Sequence, residues 1–519
     1  MKLNKHVEFL KIVVVVLILF FVNVNYGETP DQTHQKFQII FEIKNDKNSP
    51  FYIDFANFPK KREALPIGIF DSGTGGLTVL SSILTLDKFN NKTLASGEDG
   101  IPDFCPEYFV YLGDKANMPY GRYDAEGKSD FLRELIIKDV QFLLGRKYDD
   151  SPTNTQIKTD KKPVKAIAIA CNTATAFGLD LIKKSLELWE LDVKVFGIID
   201  AGSEAAVELL AGRSKGHTIG VLATEGTCAT NGYPKSIKKY FSSVFQHNDI
   251  AVIQQAGFGL AAAIDGDMNY INPGADKVRG KEKYYGPGLD HPTYPIDMSR
   301  WKEYNFNTGN GLLTRKDANG KLVEIELNLV SNYIKYHVTQ MVVEMANRYP
   351  NRRLDCVILG CTHYPFFEKE IRDHFIYLKH LNDTYDRIIP ENLTLVDPAF
   401  SLAIELYEYL SQNHLIGSGS KKNSEFYISV PNPHLAENQI NEAGEFPYSY
   451  KYGRSINTGH HFVKRVPFST KWIKKDVLMR IKTKMPDIYK MIFNPRPGDR
   501  ISPIDKNTIN KKVKKEDNS

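Results

Sequence analysis

Cysteine is scarce in this chain and odd in number: five in 519 residues, Cys105, Cys171, Cys228, Cys356 and Cys361. Five thiols over that length are no disulfide framework, and at least one stays unpaired within the chain. No CxxC pair is present, and His363 beside Cys361 has nothing nearby to complete a four-ligand zinc set, so no metal site is expected. Net charge is nearly absent, +5 from 67 basic and 62 acidic residues, which removes the electrostatic case for nucleic acid. The basic end, "NKKVKKEDNS", is read as a solvated tail. Long apolar runs are lacking too, save "IVVVVLILFFV" at 12–22. That run follows Lys2, Lys5 and Lys11, the layout of a secretory signal, and is short for a membrane span. Cutting after Gly27 leaves Asn25 where a small residue is preferred, so an uncleaved membrane tether is the alternative. The expectation is an exported protein, periplasmic or membrane-tethered, and a cytoplasmic one only if this signal reading fails. Free thiols in an exported protein are unusual.

What the chain does have, from Pro66 onward, is a repeating order of short apolar run, tight polar turn and amphipathic helix. "PIGIF" leads into "DSGTGG" and the helical "LTVLSSILTL". "EYFVYLGD" ends at "KANMPYG", and "VKAIAIA" precedes "CNTATAFGLDLIKKSLELW". "HTIGVLA" precedes "TEGTCATNGYPKSIKKYFSS", and "LDCVILG" precedes "CTHYPFFEKEIRDHF". Such alternation predicts parallel sheets covered by helices on both faces, with ligands bound beyond the carboxyl ends of the strands. A faint internal repeat runs through it. "IGIFDSGTGG" resembles "IGVLATEGTCA", and "AIACNTA" resembles "ILGCTHY". The fold class expected is therefore α/β: two pseudo-symmetric parallel-sheet domains facing across one active-site cleft, with long insertions. The boundaries predicted are 1–27 signal or anchor, 28–63 an N-terminal extension with room for one hairpin, and 64–198 plus about 380–411 the first domain. The second domain is 199–379, containing an insertion at 268–325, and 412–519 is a C-terminal extension.

The two cysteines heading helices carry the chemistry. Cys171 and Cys361 each stand at a predicted helix start, where unpaired backbone N–H groups favour negative charge and lower a thiol's pKa. Asn172 and Thr173 in one turn, and Thr362 and His363 in the other, offer donors for a carboxylate. Two thiols on opposite walls of a cleft supply a base on one face of a Cα–H and an acid on the other, which inverts a stereocentre. Cys105, Cys228 and Cys356 are read as packing residues. "DSGTGG" has neither of the glycine spacings of the common phosphate loops.

Six strings in one order, "GIFDSGTGGLTVL", "YLGDKANMPYG", "ACNTATA", "LATEGT", "VILGCTHYP" and "LVDPAFSLA", resemble the aspartate/glutamate racemase superfamily, most closely its glutamate racemases. The resemblance covers roughly 64–410 without the insertion. It implies a cofactor-independent racemase of L- and D-glutamate with Cys171 and Cys361 as paired acid and base, Asp71 tuning the first and His363 the second. Asp71, Ser72, Tyr120, Gly121, Asn172, Thr173, Thr227, Thr362 and His363 would hold the amino acid. Asp265 stands where the family often has a glutamate near the second cysteine. A small-molecule amino acid and a second copy of the chain are the partners expected; the resemblance also implies a link to peptidoglycan precursors, which an exported copy could not supply directly. Aspartate or broad-specificity racemisation, and amino-acid binding without catalysis, are the alternatives. The insertion follows Asp265 closely, so a lid or an oligomer contact is expected of it.

Overall fold

The computed structural model describes residues 37–212, 216–436, 439–456, 461–473 and 475–493. The expected signal or anchor at 1–27 lies outside them. The apolar runs form strands because their Ile, Val, Leu and Ala side chains are covered on both faces, as in parallel sheets generally. The strands of the two principal sheets are β1 (Ile67–Asp71), β2 (Phe109–Gly113), β3 (Ala166–Ile169), β4 (Lys194–Gly197), β5 (His217–Ala223), β6 (Ile250–Ala256), β7 (Cys356–Gly360), β8 (Thr394–Val396), β9 (Glu425–Pro431) and β10 (Val463–Pro467).

The first sheet runs β10-β9-β2-β1-β3-β4 and the second β6-β5-β7-β8. Every neighbouring pair is parallel except β9–β10. The strings β2-β1-β3-β4 and β6-β5-β7-β8 are one topology written twice, so the internal similarity seen in the sequence is a duplicated four-strand unit. In each copy the strand before the Gly/Thr-rich turn lies beside the strand before the cysteine. Both turns therefore open at the carboxyl edge of the sheet, at its centre.

Three expectations about the outlying segments change. Residues 37–63 contain no strand; Gln38–Asn45 is a helix that buries Ile39, Ile40 and Ile43, apolar residues at helical rather than alternating spacing. Trp189 Nε1 donates to Ile40 O at 2.9 Å, tying that helix to the first domain. The segment about 380–411 is divided: β8 extends the second sheet, whereas the helix Pro398–Gln412 packs on the helices Gly76–Thr85 and Ile198–Glu208. The C-terminal residues are structural parts of the first domain, since β9 pairs with β2 and β10 with β9. Beyond them, the helices Lys475–Lys484 and Pro486–Phe493 put Ile481, Met485, Ile488 and Ile492 into the core formed by Leu77, Leu80 and Ile83. Their place in the first sheet is not legible in the sequence, because β9 is separated from the α/β repeat by loop-like sequence.

The insertion is ordered and joins the second domain's core. Its hairpin Leu312–Lys316/Leu322–Leu327 and the short helix Trp301–Tyr304 bury Tyr304, Leu312, Ile325 and Leu327 against Tyr333 and Ile334 of the helix Val330–Arg348. Among the described residues no helix is long and apolar enough to cross a membrane, and no group of three or more His, Cys, Asp or Glu could hold a metal. All five cysteines are free: Cys356 is buried, but Cys105 is exposed, so packing does not account for it.

Candidate active site

Strand β1 ends in Asp71, whose buried carboxylate turns back into its own loop. Oδ2 accepts from Gly73 N at 3.0 Å and from Gly76 N at 3.1 Å. Gly76 begins the helix Gly76–Thr85, so the aspartate occupies the helix N-terminus, where the backbone favours an anion. Burial nevertheless raises its pKa, opposed by the Gly76, Gly73 and Ser72 N–H groups and by His363. One strand over, Cys171 caps the helix Asn172–Leu188, its Sγ accepting from Ala174 N at 3.4 Å and lying 3.6 Å from Ser72 Oγ. Asp71, Ser72 and Cys171 are thus one cluster.

The second cluster is not a copy of the first. Cys361 follows β7 by one residue and enters a turn, where His363 caps the short 3-10 helix Tyr364–Phe367. Cys361 Sγ lies 3.5 Å from His363 Nδ1. His363 Nε2 is buried without a hydrogen bond, and Asp265 Oδ1 stands 3.4 Å away from it. On the neighbouring turn, Thr224 caps the helix Glu225–Ala229 and its Oγ1 lies 3.0 Å from Oγ1 of the buried Thr227.

The two clusters meet. Asn172 Nδ2 donates to Gly360 O at 3.3 Å, and Tyr233 Oη donates back to Asn172 Oδ1 at 3.1 Å. A Cβ on Gly75 would stand 3.4 Å from Thr362 Oγ1 and 3.5 Å from Asp71 Oδ2, which puts Thr362 against the aspartate's loop. A Cβ on Gly121 would stand 3.5 Å from Gly226 Cα, so the glycine lets the two domains' backbones approach. The sequence-predicted residues Asp71, Ser72, Gly121, Asn172, Thr173, Thr227, Thr362, His363 and Asp265 therefore lie on these converging loops. Tyr120 does not share that role. Its hydroxyl is turned into the first domain, 2.5 Å from Asp114 Oδ2 and 2.7 Å from Asp139 Oδ2. One hydroxyl proton cannot serve both carboxylates, and burial pushes Asp139 up to about 8, so Asp139 carries the second proton.

Both thiols are deeply buried, and burial decides their chemistry. Cys171 is pushed from 9.0 up to about 12 by desolvation, with the Asp71 charge adding to it and the Ala174 and Ser72 donors opposing. Cys361 is pushed equally far, again by desolvation, against the His363 and Tyr364 N–H groups. This reverses the sequence-based expectation of lowered values. A helix terminus is worth up to about 2 kcal/mol, whereas a rise of three units is about 4 kcal/mol, so desolvation wins. Burial likewise holds His363 neutral, down at about 4, against the field of Asp71. Two roomy cavities, about 820 Å³ and 650 Å³, lie along the insertion.

Three participants had no signal in the sequence motifs. Tyr233 orients Asn172. Tyr294 of the insertion donates to Glu225 Oε1 at 2.7 Å and stacks on Phe258 at 4.4 Å, which ties the insertion to the Thr227 loop. Arg480, on the C-terminal helix, forms an ion pair with Asp265. It could not be placed from sequence because its helix reads as an amphipathic basic tail far from every motif.

No known family profile matches the chain. Curated relatives do. Glutamate racemase 2 of Caldanaerobacter subterraneus subsp. tengcongensis is 23% identical over 367 residues, 71% of this chain and 89% of the relative. Glutamate racemase of Thermoanaerobacter sp. (strain X514) is 26% identical over 364 residues, 70% and 88% of the two chains. Among solved structures, glutamate racemase from Francisella tularensis subsp. tularensis SCHU S4 in complex with D-glutamate aligns at 19% identity and a TM-score of 0.38, over 76% of this chain and 96% of that one. Relatives named glutamate racemases are thus matched along most of their own length, and it is to these proteins that the chain is similar.

Proposed function

We propose that the protein is an amino-acid racemase that interconverts L- and D-glutamate by passing the α-proton between two thiols, without a cofactor. The observation that carries this reading is the duplication: one four-strand topology occurs twice, and in each copy a buried cysteine follows the strand beside the Gly/Thr-rich turn. One thiolate takes the proton from Cα, and the electron pair left behind spreads into the α-carboxylate, stabilised by backbone and Asn172, Thr173 and Thr362 donors. The opposite thiol gives its proton to the other face. The reverse reaction exchanges the roles.

A buried thiolate with a raised pKa is a strong base, which Cα–H abstraction needs, but it must first be formed. Asp71 stands by the Ser72–Cys171 pair as the acceptor on one side. His363 Nδ1, 3.5 Å from Cys361 Sγ and neutral, is the acceptor on the other. Export through segment 1–27 and a homodimer complete the proposal; cell fractionation and sedimentation test them.

The test is proton NMR of the reduced protein in D₂O with L-glutamate and, separately, L-aspartate. Loss of the α-proton signal with growth of the D-enantiomer is expected, and the relative rates rank the two substrates. Cys171→Ser and Cys361→Ser should each abolish racemisation. Full racemisation in either variant would sink the two-thiol mechanism, and binding without exchange would make the protein a receptor.

A further inference from the structure

Arg480 is delivered to the site from outside the duplicated units. Its helix, Lys475–Lys484, is fastened to the first domain through Ile481, which lies in the same core as Leu77 and Ile83. Its guanidinium reaches across to Asp265, which follows the helix Leu260–Ile264 of the second domain. Asp265 in turn faces His363, the partner of Cys361. The side chain of Arg480 is only 15% exposed; Nη1 is the atom paired with Asp265, and Nε is buried without a hydrogen-bond partner. Buried guanidinium donors left open are costly, and a carboxylate is their natural complement.

Charge bookkeeping points the same way. The side chains gathered around the thiols include two carboxylates, Asp71 and Asp265, and neutral Ser72, Asn172, Thr173, Thr227 and Thr362. His363 is neutral because it is buried. A dicarboxylic amino acid brings a further net negative charge into this space. Arg480 is the cation in that set.

We propose that Arg480 receives the side-chain carboxylate of the substrate, so that the C-terminal helix, rather than the duplicated α/β core, selects an acidic amino acid over its amide. The assignment rests on the racemase reading above. In the free protein Asp265 holds the guanidinium in place through Nη1; the substrate carboxylate takes the open Nε donor.

The experiment compares the full-length wild type, Arg480→Gln and Arg480→Lys, each with glutamate and glutamine, by α-proton exchange in D₂O and by calorimetric binding. For Arg480→Gln, KM for glutamate should rise about 10- to 100-fold, the loss of a charged hydrogen-bonded partner, with kcat within about threefold. The glutamate-over-glutamine ratio of kcat/KM should collapse, and Arg480→Lys should restore part of it. Asp265→Asn separates selection from mere clasping: it breaks the ion pair but should keep the preference for glutamate. Equal losses on glutamate and glutamine in Arg480→Gln, matched by Asp265→Asn, would overturn the assignment and leave Arg480 as a strap. Absence of exchange on either amino acid in the wild type refutes the racemase reading instead. Calorimetry then still decides Arg480, since unchanged glutamate affinity in Arg480→Gln, or no binding to the wild type, overturns it.

Discussion

Replacing Gly76 by alanine tests how tightly Asp71 must be held. A Cβ at position 76 would lie 2.6 Å from Asp71 Cβ, 2.9 Å from Ala170 Cβ and 3.2 Å from Tyr111 Oη. Non-bonded carbons rest at about 3.5–4.0 Å, so relief of the closest contact requires Asp71 to move by about 0.9–1.4 Å. None of the three neighbours is the free end of a flexible chain: Ala170 ends β3's apolar run and Tyr111 lies inside β2. Overpacking of this kind costs about 1–3 kcal/mol, or a few degrees of melting temperature in a domain of this size. The functional cost is larger in proportion. Gly76 N is one of the donors that hold Asp71 Oδ2, at 3.1 Å, and a displacement near 1 Å of a reacting or orienting group costs about 100-fold. The expected result is a fall of about 100-fold in kcat/KM for α-proton exchange, with the protein still folded by circular dichroism. Gly453→Ala, where a Cβ meets nothing, is the control and should change neither quantity. Activity of Gly76→Ala within about threefold of wild type would show that Asp71 does not act on Cys171 from this position.

Three further outcomes follow from burial. His363 sits at about 4 in the folded chain against an ordinary 6.5, so acidification below pH 6.5 protonates the unfolded chain first and removes stability, about 3 kcal/mol by pH 4. Urea unfolding at pH 7 and 4.5 should show His363→Gln losing less on acidification than wild type; equal losses would place the imidazole in water. At pH 8, thiols near 12 are ionised to about 10⁻⁴, against roughly a tenth at the ordinary 9.0. Peptide mapping after iodoacetamide should therefore find exposed Cys105 alkylated first, and rapid labelling of Cys171 or Cys361 would contradict their burial. Arg465 of β10 reaches buried Asp139 at 3.0 Å. Arg465→Met should cost about 1.5–3 kcal/mol, the loss of a hydrogen bond between a charged guanidinium and the protonated Asp139, and an unchanged melting temperature would argue against that tie.

The share of this protein legible in its sequence is the share written in local pattern. Apolar runs ending at "DSGTGG", "CNTATA", "TEGT" and "CTHYP" locate β1, β3, β5 and β7, because a strand buried on both faces and the turn after it are specified by consecutive residues. The duplicated unit, and the cysteine at the same edge in each copy, follow from those strings. Other features depend on partners distant in the chain. Residues 425–431, "EFYISVP", carry the aromatic and β-branched residues of a strand, but nothing within the segment records that it joins the open edge of β2. Tyr120 belongs to a motif, yet its hydroxyl is claimed by Asp114 and Asp139. The thiol pKa values rise rather than fall because desolvation is a property of everything packed around Sγ, not of the helix that follows it. Arg480 was invisible for the same reason: a basic residue on an amphipathic helix carries no sign of which domain its helix will be fastened to, or which carboxylate it will meet.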